Sequence, residues 1–137
     1  MNLEMVKNFM KDVGWGFLAT SDGKKTGVRP MGSCVWMGSE LWAATTDGTE
    51  KIRQIRKVPY AEYCFSDSQG MHARISGLCT VSANNDDKLK LYEAVPILKK
   101  YIKDPAEPTY VVIRMKPERI RLMAVAGKRY ENIEVPK

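Results

Sequence analysis

Short extended runs punctuated by turn residues fill most of this sequence, and that alternation constrains the fold more than any other feature. Gly16-Phe17-Leu18-Ala19-Thr20 is followed by the turn residues Ser21-Asp22-Gly23, and a second extended run covers Thr26 to Met37. Gly38-Ser39 then reverses the chain, and Glu40 to Thr46 supplies a third run. Two successive hairpins are the economical reading. Asp47-Gly48-Thr49 breaks the extended pattern, and Asp47 or Thr49 can cap a helix whose inward side chains are Ile52 and Ile55. Val58-Pro59 stops that helix, because a residue before proline is pushed out of helical geometry.

Around this segment the same signals recur. Leu3, Val6, Phe9, Met10 and Val13 stand at helical spacing, which predicts an amphipathic helix over 3–12 that ends near Gly14 and covers a sheet. Strand character resumes at Tyr60 to Ser66. After Asp67-Ser68-Gln69-Gly70 a longer strand turns Met71, Ala73, Ile75, Gly77, Cys79 and Val81 to the core and His72, Arg74, Ser76 and Thr80 away from it. A helical pattern with Leu89 and Tyr92 is interrupted at Pro96 and resumes through Leu98, Tyr101 and Ile102. Strands at 109–116 and 118–126 precede a short polar tail. Seven short strands with helices between them predict a mainly β fold with flanking helices, an antiparallel sheet closed into a small barrel. A single domain is expected over 1–137, with its core at 3–126.

Composition removes several function classes. No apolar run approaches the roughly 20 residues of a membrane span, and residues 1–15 lack a signal-peptide core, so a cytoplasmic protein without a membrane partner is expected. Cys34, Cys64 and Cys79 are odd in number and sit in strand-like runs, which suits burial in a reducing compartment better than a disulfide scaffold. One histidine, His72, and no C-x-x-C pair leave nothing from which to expect a metal site. The 22 basic and 16 acidic residues give a net charge of +6, but the charge is spread along the chain without an RNP-like motif or basic tail. A basic surface, without a nucleic-acid partner, is the expectation.

The candidate chemistry lies between residues 29 and 51. Arg29 projects from the second run on the face that carries Met31, opposite Val28 and Pro30. Lys51 lies in the first turn of the helix after the third run, where free backbone N–H groups favour an anion. Thr45, Thr46 and Thr49 add hydroxyls around the same turn. Each residue alone reads as a surface group, a β-former or a cap; together they read as a phosphate seat approached from two strands and a helix.

The order Gly16-Phe-Leu-Ala-Thr, Arg29-Pro-Met, Leu41-Trp-Ala-Ala-Thr-Thr, Lys51-Ile-Arg-Gln-Ile, then Pro59, Tyr63 and Phe65, resembles the pyridoxamine 5′-phosphate oxidase-like FMN-binding split barrels, with the small general-stress-protein type the best likeness. The likeness runs from about residue 3 to 126 and includes Arg74-Ile-Ser-Gly77. It implies an antiparallel split β-barrel, FMN as cofactor, and a flavin phosphate held by Arg29 and Lys51 with Thr45 and Thr46 assisting. Pro30, Met31 and Ala44 would lie along the ribityl chain and ring. It further implies a homodimer with two flavins at the interface, and electron transfer between a small-molecule donor and acceptor. Trp36, Met37 and Trp42, on strands bordering the site, could face a partner or pack in the core. Oxidation of vitamin B6 itself is not expected, because little sequence follows Glu118-Arg-Ile-Arg-Leu122 to build that substrate's pocket. Relatives in the wider group bind haem or a deazaflavin. His72 is a poor haem candidate, the deazaflavin stays an alternative, and so does a flavin or nucleotide sensor without turnover.

Overall fold

The computed structural model, which describes residues 1–125 and 127–137, is organised around one eight-stranded antiparallel sheet. Helix α1 (Leu3–Val13) leads into β1 (Gly16–Ser21), β2 (Thr26–Met31), β3 (Val35–Met37) and β4 (Glu40–Thr46). Then follow α2 (Glu50–Lys57), β5 (Tyr60–Ser66), β6 (His72–Ser82), α3 (Asn85–Ala94), a 3₁₀ turn (Pro96–Lys100), β7 (Tyr110–Met123) and β8 (Glu131–Ile133). The strand order is β2-β1-β5-β6-β7-β4-β3, with β8 added to β7.

Among the described residues the sheet does not close: β2 and β3 end the path and do not pair with each other. This corrects the closed barrel expected from the strand count. Both halves nevertheless wrap one core, since Leu18 and Met31 from β1 and β2 pack with Leu41 and Ala43 of β4, Ile75 of β6 and Ile120 of β7. The barrel is therefore split. Each large apolar side chain buried there contributes about 1.5–3 kcal/mol.

Both hairpins form as read, but the 26–37 run is two strands. β2 pairs with β1, whereas β3 pairs with β4 at the other end of the path. Gly32-Ser33-Cys34 carries the chain across, and a Cβ at Gly32 would lie 2.8 Å from the exposed Trp15 ring, which would have to move aside. The two strands expected at 109–116 and 118–126 are instead one. β7 continues through Pro117 because the register shifts there, with Gly77 opposite Pro117 and Ser76 opposite Arg119, so a bulge absorbs the missing donor. The strand ends at Met123; Ala126, where it was expected to stop, lies outside the described residues. Gly77 is required at that bulge, since a Cβ would land on the Lys116 carbonyl oxygen. The polar tail supplies β8, whose Ile133 is buried in the main core.

Helix α1 starts at Asn2, whose side chain accepts from the Met5 N–H, ends at Gly14 with φ 81°, and buries Val6, Phe9 and Met10. Helix α3 and the 3₁₀ turn cover the outside of β4 and β7, where Leu91, Val95 and Leu98 pack on Trp42, Tyr110 and Val112. In α3 the inward residues are Leu91 and Lys88, while Leu89 is exposed. Trp42 is a core residue; Trp36 and Met37 are half-buried, with Trp36 Nε1 donating to Met10 Sδ at 3.2 Å. Among the described residues no helix is long and apolar enough to cross a membrane.

A candidate anion site at the split of the barrel

Strand alternation puts Gly27, Arg29 and Met31 on the inner face of β2 and leaves Val28 and Pro30 outside. Arg29 Nη1 donates to Thr20 Oγ1 at 2.6 Å and, more weakly, to the carbonyls of Leu18 and Gly27 at 3.3 Å. Its Nη2 donates to Glu50 Oε1 at 2.8 Å. Thr20 in turn donates to Gln54 Oε1, and both of those residues are buried. The guanidinium is thus fixed from β1 and α2 at once. Gly27 completes the cradle, because a Cβ there would lie 2.5 Å from both Arg29 Nη2 and Glu50 Oε1.

Lys51 stands beside this group on the first turn of α2. Burial depresses its pKa below the usual 10.5, and the charge of Arg29 depresses it further. Among the described residues no carboxylate lies within ion-pair distance of Lys51. Thr49 occupies the N-cap but makes no side-chain capping bond; its hydroxyl donates to the Thr46 carbonyl at 2.9 Å. The helix start therefore presents uncapped N–H groups next to two converging cations. One carboxylate answers them, that of Glu50, and it is 60% exposed.

The other expected residues are distributed around the split. β4 pairs with β7 over Leu41–Thr46 but with β3 only over Glu40–Trp42, so its second edge is free from Ala43 onward. Ser33 answers part of that edge: Ala44 N–H donates to Ser33 Oγ at 3.3 Å. Ala44, Thr45 and Thr46 line a cavity of about 470 Å³ along this edge, with Gly32 and Ser33. Trp15, Ile97 and Tyr101 form a second side of it, and among the described residues Glu107 is the one charged group in its lining. Arg29 and Lys51 do not line this cavity. The Met31 side chain is in the core, so only its main chain is available to a ligand, whereas Pro30 is exposed.

Sequence reasoning missed Thr20, Gly27, Glu50 and Gln54. Two signals could have found them: Thr20 shares the inward period of Leu18, and Glu50 and Gln54 stand four apart on one helical face.

The sequence profile described as "Pyridoxamine 5'-phosphate oxidase like" matches residues 2–131. The chain belongs to that family. No curated protein sequence matches it. Among solved structures, a NimC/NimA family protein from Clostridium acetobutylicum is similar at 22% identity and a TM-score of 0.80, covering 95% of this chain and 91% of that one. General stress protein 26 from Bacillus anthracis is similar at 20% identity and a TM-score of 0.71, covering 93% and 98%. A pyridoxamine 5′-phosphate oxidase-related, FMN-binding protein from Nostoc punctiforme is similar at 15% identity and a TM-score of 0.70, covering 95% and 88%. At these identities the likeness establishes the split-barrel fold of the family.

Proposed function

We propose that this chain binds FMN and works as a flavin-dependent oxidoreductase on a small molecule. The observation that carries the reading is the convergence of Arg29 and Lys51 at an uncapped helix start, where among the described residues no carboxylate lies within ion-pair distance of Lys51. A phosphate dianion answers both cations and the N–H groups, and can displace the exposed Glu50 carboxylate from Arg29. Thr45 and Thr46 offer hydroxyls beside it, while Pro30, Ala44 and the Met31 main chain border the ribityl and ring positions. The description of the Nostoc relative as FMN-binding supports the choice of cofactor.

When bound, FMN supplies hydride or electron transfer between donor and acceptor. The protein's residues hold and orient it: Arg29 stays anchored by Thr20 and the Leu18 and Gly27 carbonyls once Glu50 is displaced, and Lys51 is held protonated by the phosphate. A homodimer fits the outer face of the sheet. Register sets Phe17 beside Pro30 and Cys64, Ala19 beside Val28 and Glu62, and Tyr60 beside Leu78, all on one face. Phe17, Val28, Tyr60 and Leu78 are large apolar side chains left exposed there.

The test is to purify the protein without added cofactor, record its visible spectrum and identify what denaturation releases. Arg29→Ala and Lys51→Ala should each weaken FMN retention roughly tenfold or more, the equivalent of losing one charge-assisted bond. Arg53→Ala, which removes an exposed bond to the Gly48 carbonyl, and Lys57→Ala should change it little. Folded Arg29 and Lys51 variants that retain FMN normally would refute the site.

A further inference from the structure

We infer that a pocket on the outer face of the sheet, apart from the flavin seat, binds a small molecule through a carboxylate or phosphate group. Register lines up one row across four strands there: Ala19 of β1 beside Glu62 of β5, Glu62 beside Ser76 of β6, and Ser76 beside Arg119 of β7. Ala19 and Ser76 are the small members of that row. The larger Tyr60, Arg119 and Arg121 stand around them, which leaves a hollow of about 380 Å³, the size of a small-molecule site. None of the residues assigned to the flavin lines it, and Thr20 at its border has its hydroxyl spent between Arg29 and Gln54.

Charge and unmet donors choose the ligand. Glu62 lines the hollow, but three guanidinium groups surround that one carboxylate, and its oxygens already take three bonds from Arg74 and Arg121. The third, Arg119, forms no ion pair among the described residues, and neighbouring Glu118 neither pairs with it nor lines the hollow. Arg121 has its one bond to Glu62 at 3.2 Å, and its Nε is buried without an acceptor. Ser76 is only 7% exposed, yet it lines the hollow and its hydroxyl has no partner among the described residues. An oxyanion answers the Arg119 fork and the Ser76 hydroxyl together, through charge-assisted bonds that a neutral or cationic group cannot make. Tyr60, 43% exposed, and the Ala19 methyl offer the body of the ligand an apolar wall.

The experiment titrates the purified protein, with and without saturating FMN, by ligand-observed NMR at low salt against benzoate, phenyl phosphate, neutral benzyl alcohol and cationic benzamidinium. Both anions should bind about fivefold more tightly than benzyl alcohol, benzamidinium should bind weakest, and the tighter anion identifies the oxyanion. Arg119→Gln and Ser76→Ala should each weaken the anions about threefold to fivefold. Arg29→Ala, which removes the other anion seat, should leave benzoate binding within twofold, roughly. Equal binding of the four probes, no binding of either anion, anion binding untouched by Arg119→Gln, or benzoate binding lost in Arg29→Ala overturns the inference. This face is the one offered above to a second copy of the chain, so sedimentation on the same samples reads the oligomeric state. A dimer that binds neither anion overturns the inference as surely as a monomer that binds neither. The expected order in a protein that fails to retain FMN supports it and removes only the flavin reading.

Discussion

Two arginine–carboxylate clusters in this molecule are built alike and are held very differently. On the outer face of β5, β6 and β7, Glu62 takes two bonds from Arg74 at 2.9 and 2.7 Å and one from Arg121 at 3.2 Å. Tyr130 lies under both guanidinium groups and bonds His72 Nε2 at 2.6 Å. At the split, Glu50 makes one contact, to Arg29, and its side chain is 60% exposed against 28% for Glu62. The first carboxylate is committed by three bonds and a stacked ring; the second can leave. Similar chemistry therefore yields a structural tie in one place and a single, exposed pairing in the other.

The largest expected effect attacks the sheet under the committed cluster. Gly77→Ala drives a Cβ into the Lys116 carbonyl at the β6–β7 bulge and should cost about 3 kcal/mol in denaturant unfolding. Glu62→Gln should cost about 1–2 kcal/mol, because it leaves two guanidinium groups without a charged partner, yet FMN retention by each folded protomer should stay within twofold, roughly. Glu50→Gln should do the reverse: little change in stability, and FMN held about twofold to threefold more tightly because a competing carboxylate is gone. If Glu50→Gln weakens FMN, Glu50 is part of the seat and not a stand-in for its ligand.

Acidity gives the subtlest test. The Lys51 pKa is depressed in the folded protein, so raising pH removes its charge below the ordinary 10.5. Folding is disfavoured by that half-buried charge at neutral pH and is relieved of it as pH rises from the depressed value towards 10.5, while FMN affinity falls over the same interval. Lys51→Arg keeps the charge and should flatten the alkaline fall in a fluorescence titration. Bound phosphate opposes the depression, so the fall should shift to higher pH at higher FMN concentration.

Local signals made the pieces of the proposed seat legible. Strand parity puts Arg29 on the face of Met31, and the first turn of the helix after the third run holds Lys51. What could not be read depends on distant partners. The strand alternation of 26–37 continues smoothly across Gly32–Cys34, and only the separate pairing of β2 with β1 and β3 with β4 shows the break. Pro117 reads as an end of strand, and only Gly77 on another strand supplies the bulge that carries β7 past it. The cavity wall at 97–110 joins Thr46 through its pairing with Tyr110, a contact no local pattern announces. Thr20 and Gln54 were legible by period but look like ordinary polar residues until a guanidinium is seen between them.

Strand β7 also governs the order in which this protein can assemble. It is the one strand that joins β6 to β4 and receives β8, and it comes late in the chain. Until it is synthesised, the β3–β4 hairpin has no neighbour in the sheet, and β6 keeps an open edge beside apolar Ala73, Ile75 and Cys79. Joining parts so distant in sequence favours slow folding and leaves a nascent chain with two exposed edges. Chaperone demand during synthesis should thus peak before β7 emerges from the ribosome.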